Sequence, residues 1–322
     1  MAGVTTYQKL TWPLFWELIR LPAKAASLLP FLFGVSYAWV HYQQLNWGNT
    51  VVYFVGQMSI ALFVTGFNNV QDFYKAKDAK YRATQNIIGR ERLSPRRILA
   101  LMLAFLALAC GCGLWLVART NLSLLMIGGA AIFVAIFYTF GPVPLSRIPS
   151  GEVLAGLCEG FGTIFIAVFV NVQPRPVTLA VLGGAFRFGI DLRMCLELLL
   201  VALPIVILDG TVMFADNICD LAQDERNQRF TLPYYLGKKR ALAVYPWLPR
   251  AAYAMIGLAV LLRLLPWPTI AVWLLWPLVV RNTHGFLQKQ SKAETFNLAI
   301  KTLLLTAAAE VVMLLLAGGL FF

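Results

Sequence analysis

The sequence predicts an all-α polytopic membrane bundle, and three observations carry that expectation. Hydrophobic side chains make up 59% of the 322 residues and charged ones only 13%, with a mean hydropathy of +0.71; a soluble domain has to cover itself with more polar groups than that. Apolar runs long enough to cross a hydrocarbon core recur along the whole chain, about nine in number. Lys and Arg gather in particular loops between the runs instead of spreading over one face, the pattern left when positive charge is retained on the cytoplasmic side.

The elements follow in order. Residues 1–24, ending in Arg20-Leu21-Pro22-Ala23-Lys24, form a polar, amphipathic lead-in. It lacks a short apolar core followed by small residues, so the first span is expected to be retained. The apolar runs centre on residues 25–42, 51–68, 98–118, 121–140, 152–172, 195–216, 243–263, 266–281 and 298–320. The eighth is short and holds Pro268 and Pro277, each of which removes a helical donor. With nine spans and a cytoplasmic N-terminus, the inside segments hold about twenty basic residues and the outside ones about five. Topology thus accounts for the net charge of +12 without nucleic acid. Two cytoplasmic loops, 69–97 and 217–242, exceed the roughly two to eight residues usual between helices. They are expected to cap a single membrane domain spanning residues 1–322, most simply in a bacterial plasma membrane.

Cys110, Cys112, Cys158, Cys195 and Cys219 form no CxxC pair, and four of them fall in or at the ends of apolar spans; they read as packing residues. With only His41 and His284 present, imidazole metal sites and Ser-His-Asp chemistry have little to build on.

The acids are the informative residues. Four of the fifteen lie between Asp216 and Glu225. If the sixth span continues as a helix, Asp216, Asp220 and Asp224 share one face. Like charges at that spacing repel and call for a cation. A salt-bridged helix end would answer the pattern, with Arg226, Arg229, Lys238, Lys239 and Arg240 nearby. A second cluster shifts the balance: Asn68, Asn69 and Asp72 share a face at the end of the second span, and Asp78 follows. Oxygen donors on two helices suit Mg²⁺, which keeps waters while bridging substrate phosphates, and nearby Arg and Lys suit the remaining phosphate charge. A charged head at the membrane surface with a tail among helices describes a prenyl diphosphate.

These residues resemble the motifs of the UbiA superfamily of intramembrane prenyltransferases. The first motif of the branch that prenylates 1,4-dihydroxy-2-naphthoate resembles N-D-x-x-D-x-x-x-G-x-D, and here Asn68-Asn69-Val70-Gln71-Asp72 is followed by Asp78 in that register. The second resembles N-N-x-R-D-x-x-x-D and then T-L-x-x-x-L-G, against Asp216-Asn217-Ile218-Cys219-Asp220, Asp224, Arg229, and Thr231-Leu232 through Leu236-Gly237. The segment Tyr138–Gly162 adds to the likeness. Three positions depart from the pattern: Asn69 stands for Asp, Asp216 for Asn and Cys219 for Arg.

The resemblance implies a bundle of about nine helices with cytoplasmic cap loops after helices 2 and 6. It also implies Mg²⁺-dependent transfer of a polyprenyl group to an aromatic acceptor, 1,4-dihydroxy-2-naphthoate first, as a step toward menaquinone. Asn68, Asp72, Asp78, Asp216, Asp220 and Asp224 are the implied metal ligands, with Asp72, Asp78, Asp220 and Asp224 catalytic. Lys24, Arg82, Arg229 and Asn217 are the implied diphosphate binders, and Tyr138 would shield an allylic cation with its ring. Other acceptors remain open (4-hydroxybenzoate, homogentisate, a tetrapyrrole or a glycerol-phosphate lipid), as does a transporter, although carriers place their ligands near the midplane. Three further acids are read two ways. Asp209, about 10 Å deeper than Asp216 on nearly the same face, either orients an acceptor hydroxyl or is a structural acid. Glu310 in the last span raises the same question. Glu152 reads as a favourable charge at a helix N-terminus, although it falls in the Tyr138–Gly162 segment that carries the likeness.

Overall fold

The computed structural model describes residues 7–76, 79–142 and 144–321; Asp78 lies outside them. The lead-in folds as α1 (Trp12–Leu18) and a 3₁₀ turn at Leu21–Lys24. The long helices follow: α2 (Ala25–Tyr42), α3 (Trp47–Lys75), α4 (Pro95–Arg119), α5 (Ser123–Phe137) and α6 (Gly151–Asn171). After a hairpin come α7 (Leu192–Arg226), α8 (Lys238–Leu261), α9 (Trp276–Gln288) and α10 (Phe296–Phe321). Among the described residues, six helices (α3, α4, α6, α7, α8 and α10) are long and apolar enough to cross a membrane. With that content the chain is an integral membrane protein.

Helix starts follow from local chemistry. The Asn46 side chain accepts from Asn49 N at 3.0 Å at the head of α3, and Asp191 accepts from Met194 N at 2.9 Å at the head of α7. Each satisfies a donor that the first turn leaves unpaired. The largest core cluster joins α2, α6, α7 and α10, with Phe33, Tyr37, Val168, Phe169 and Leu198 fully buried. In lipid, packing and interhelical hydrogen bonds hold helices together because tails are as apolar as Leu. Accordingly, Asn49 Nδ2 donates to Val170 O (2.8 Å), Thr50 Oγ1 to Asn171 Oδ1 (2.9 Å), Tyr53 OH to Thr163 O (3.0 Å) and Gln57 Nε2 to Thr163 Oγ1 (2.9 Å). This ladder fixes α3 against α6.

Several boundaries differ from the sequence expectation. The chain is mostly helical but carries an antiparallel hairpin, β1 (Val177–Leu182) and β2 (Ala185–Ile190). Gly183 and Gly184 turn it at φ 58° and 77°, values that favour glycine and suit a two-residue hairpin. The loops expected to begin at 69 and 217 start later, because α3 runs on to Lys75 and α7 to Arg226. Their remainders hold short helical turns at Ala79–Thr84, Ile87–Arg90 and Leu232–Leu236. The eighth apolar run is 3₁₀ over Trp267–Leu275 and becomes α-helical only from Trp276. Glu310 is wholly buried in α10, with neither carboxyl oxygen hydrogen-bonded among the described residues.

Candidate active site

Because α3 and α7 extend past the expected loop boundaries, both acid-bearing ends stay helical and face one cavity of about 930 Å³. Steps of four keep Asn68 and Asp72 on one face of α3, and Asp216, Asp220 and Asp224 on one face of α7. All five line the cavity, as do Lys24, Tyr138, Asn217 and Arg229. Arg82 does not: it is exposed and donates to Ala76 O at 2.7 Å.

The basic residues tie the clusters together. Arg229 Nε lies 3.5 Å from Asp224 Oδ1. Burial opposes the guanidinium charge, but Asp224, Asp72 and Asp216 outweigh it and hold its pKa above the usual value. One cation thus answers both helices. Lys24 is buried and donates to Ala61 O (2.8 Å) and Thr65 Oγ1 (2.5 Å) on α3. Desolvation lowers its pKa to about 8, against the opposing charge of Glu159.

Sequence reasoning missed three contributors. Lys292, in the turn before α10, pairs with Asp216 Oδ1 and, at 2.6 Å, with Asp220 Oδ2. Burial opposes its charge, yet the two carboxylates raise its pKa. It stands 76 residues from Asp216, beyond any local pattern. Arg147 also lines the cavity; burial, then the like charge of Arg229, lowers its pKa. Its carbonyl accepts from Phe230 N at 3.1 Å, so the segment after α7 is sewn to the one after α5. Glu159, on a π-helical turn of α6 (Leu157–Gly162), faces the same space.

Glu152 does more than start a helix. Its Oε1 receives Asn217 Nδ2 (2.7 Å) and Leu232 N (3.3 Å), orienting one predicted site residue and anchoring the second cap segment. Tyr138 OH donates to Gly151 O at 3.4 Å. The departures from the motif also find local explanations. Asn69 Nδ2 donates to Leu18 O (2.9 Å) and Thr65 O (3.2 Å), bonds a carboxylate has no proton to make. Asp216 is matched by Lys292, and Cys219 packs in the apolar cluster around Phe214, Tyr245 and Phe286.

Among the described residues, no group of three His, Cys, Asp or Glu residues is gathered to hold a metal ion. The donors stand instead on separate helices. The Oδ2 of Asp224 is buried without a hydrogen-bond partner among the described residues, and an ammonium already sits between Asp216 and Asp220. Carboxylate and amide oxygens with room between them fit Mg²⁺, which shares its coordination with water and phosphate.

The profile of the UbiA prenyltransferase family matches residues 27–316. The chain is 26% identical over 279 residues to the 1,4-dihydroxy-2-naphthoate octaprenyltransferase of Bacillus subtilis (strain 168), covering 86% of this chain and 83% of that one. It is also 26% identical over 247 residues to the protein of the same name from Mycobacterium tuberculosis (strain ATCC 25618 / H37Rv), with 76% and 77% covered. Solved structures share the fold. A UbiA homolog from Aeropyrum pernix K1 aligns with a TM-score of 0.67 at 18% identity over 89% of this chain and 97% of that one. One from Archaeoglobus fulgidus bound to GPP and Mg²⁺ aligns at 0.60 and 15% identity over 95% and 99%. With nine-tenths of its length matched, the chain belongs to the UbiA prenyltransferase family and is a prenyltransferase.

Proposed function

We propose that the protein transfers a polyprenyl group from a prenyl diphosphate to 1,4-dihydroxy-2-naphthoate, giving demethylmenaquinol, the hydroquinone form of demethylmenaquinone. The observation that carries this reading is the pair of acid-tipped helices on one cavity, with Arg229 answering both. The relatives' names point to the acceptor, and the Archaeoglobus fulgidus homolog is described with a prenyl diphosphate and Mg²⁺. Asn68, Asp72 and Asp78 on one side and Asp216, Asp220 and Asp224 on the other would hold Mg²⁺. When bound, it supplies neutralisation of the departing diphosphate.

The protein's own residues do the rest. Arg229 and Lys24 bind phosphate oxygens, and Asn217, held by Glu152, presents its amide oxygen to the site. The allylic carbon–oxygen bond breaks with its electron pair leaving on the diphosphate. The ring carbon that bears the acceptor's carboxyl group forms the new bond, and that group departs as carbon dioxide, its bonding pair restoring the aromatic ring. The Tyr138 ring shields the allylic cation. We place nine spans in a bacterial plasma membrane, with the N-terminus and both cap segments cytoplasmic, in keeping with the basic loops.

The test is an acceptor panel with prenyl donors of several lengths, run beside Asp72→Ala and Asp220→Ala. Each substitution is expected to lower transfer by about a hundredfold or more while the protein still inserts and unfolds cooperatively. Full activity in both would remove the acids from the mechanism.

A further inference from the structure

Deeper in the same cavity lie two acids that the diphosphate chemistry leaves unused. Asp209, on α7, is only 9% exposed, lines the cavity and receives no hydrogen bond among the described residues. Glu159, on α6, also lines it, and its Oε2 is buried with no hydrogen-bond partner among the described residues. Lys24 lies within electrostatic reach of Glu159, but two of its three N–H donors go to Ala61 O and Thr65 Oγ1.

The backbone brings these acids together. A Cβ added at Gly156 would stand 2.4 Å from Val206 O and 3.3 Å from Gly210 N, and one at Gly160 would stand 3.0 Å from Val206 Cα. Residues 156–160 therefore lie directly on residues 206–210, close enough for the charges of Glu159 and Asp209 to interact. The π turn over Leu157–Gly162 inserts a residue into the helical repeat and re-aims the side chains there, as such turns do at functional sites.

We propose that Glu159 and Asp209 form the subsite for the acceptor's hydroxyl edge, receiving hydrogen bonds from an arene that carries two or more hydroxyl groups. Carboxyl oxygens without donors are costly in a water-poor cavity, so the ligand has to bring donors. A prenyl chain has none, and a diphosphate or the acceptor's own carboxylate would be repelled. Asp209 lies seven residues before Asp216, about 10 Å below the diphosphate end at helical rise, the depth at which a ring meets the first carbon of the donor. This inference rests on the reading of the protein as an aromatic prenyltransferase.

The experiment uses the full chain in nanodiscs with 1,4-dihydroxy-2-naphthoate and its mono-O-methyl ether as probes. Equilibrium arene binding, donor binding and transfer are read separately for the parent chain, Asp209→Asn and Glu159→Gln. Losing a charged hydrogen-bond acceptor is expected to raise the arene Kd and acceptor KM about 10- to 100-fold, with donor affinity unchanged. The methyl ether should lose that factor against the parent chain and much less against the variants. Transfer with unchanged arene affinity in both variants would overturn the subsite and keep the reading of function. Arene binding that depends on both acids, without any transfer, would do the reverse, and no arene binding by the parent chain would overturn the subsite. Donor binding and thermal unfolding report folding; if one variant fails to fold, the other carries the test.

Discussion

Lys292 takes the position between Asp216 and Asp220 that a divalent cation would otherwise compete for. Lys292→Met removes that competitor and is expected to lower the Mg²⁺ concentration needed for half-maximal donor binding, as read by a metal titration. A rise instead would place the ammonium on the diphosphate. Lys24 gives a pH prediction whose sign is fixed by its burial. Its pKa is lowered to about 8, so the folded protein bears the cost of a buried charge below that pH and is relieved of it as pH climbs toward the unfolded value. Stability from this group therefore rises with pH above about 8, while its attraction for diphosphate falls. The parent chain should lose kcat/KM for the donor above about pH 8, since that ratio reports the free enzyme; Lys24→Met should start lower and lose that limb.

At the scale of elements, the α6–α7 seam is the least forgiving contact. Gly156→Ala drives a methyl group to 2.4 Å from Val206 O and should cost about 1–3 kcal/mol, read as earlier thermal unfolding. Much of this level was legible in the sequence, because hydropathy marks spans and a four-residue step marks a helical stripe. Asp216, Asp220 and Asp224 share a helix whose length the charges alone left conditional. What escaped had no local signature: Lys292 reaches α7 only through tertiary folding, and Glu159 owes its direction to a π turn. Glu152 acquires its role from a loop 80 residues away. The hairpin was readable in VTLAVL-GG-AFRFGI, yet it fell between the expected spans 152–172 and 195–216, where no strand was expected. Arg82 was included for its charge, and its guanidinium turns back to its own loop.

Across the whole molecule, the acid clusters and the hairpin sit at opposite ends of α6 and α7. Twenty-four residues separate Leu192 from Asp216, about 36 Å of helix, enough to traverse a bilayer. In sealed vesicles, Gly184→Cys and Gln290→Cys should therefore react with an impermeant maleimide from opposite sides, measured against the parent chain; labelling from the same side would refute the arrangement. The hairpin leaves Phe186, Phe188 and Ile190 uncovered, a greasy paddle suited to the far leaflet's boundary. Seated there it would act as a keel, setting how high the body rides in the lipid. With that draught fixed, the mouth would stay level with the phospholipid heads, and a lipid-borne donor would reach it by gliding sideways without lifting its tail into water.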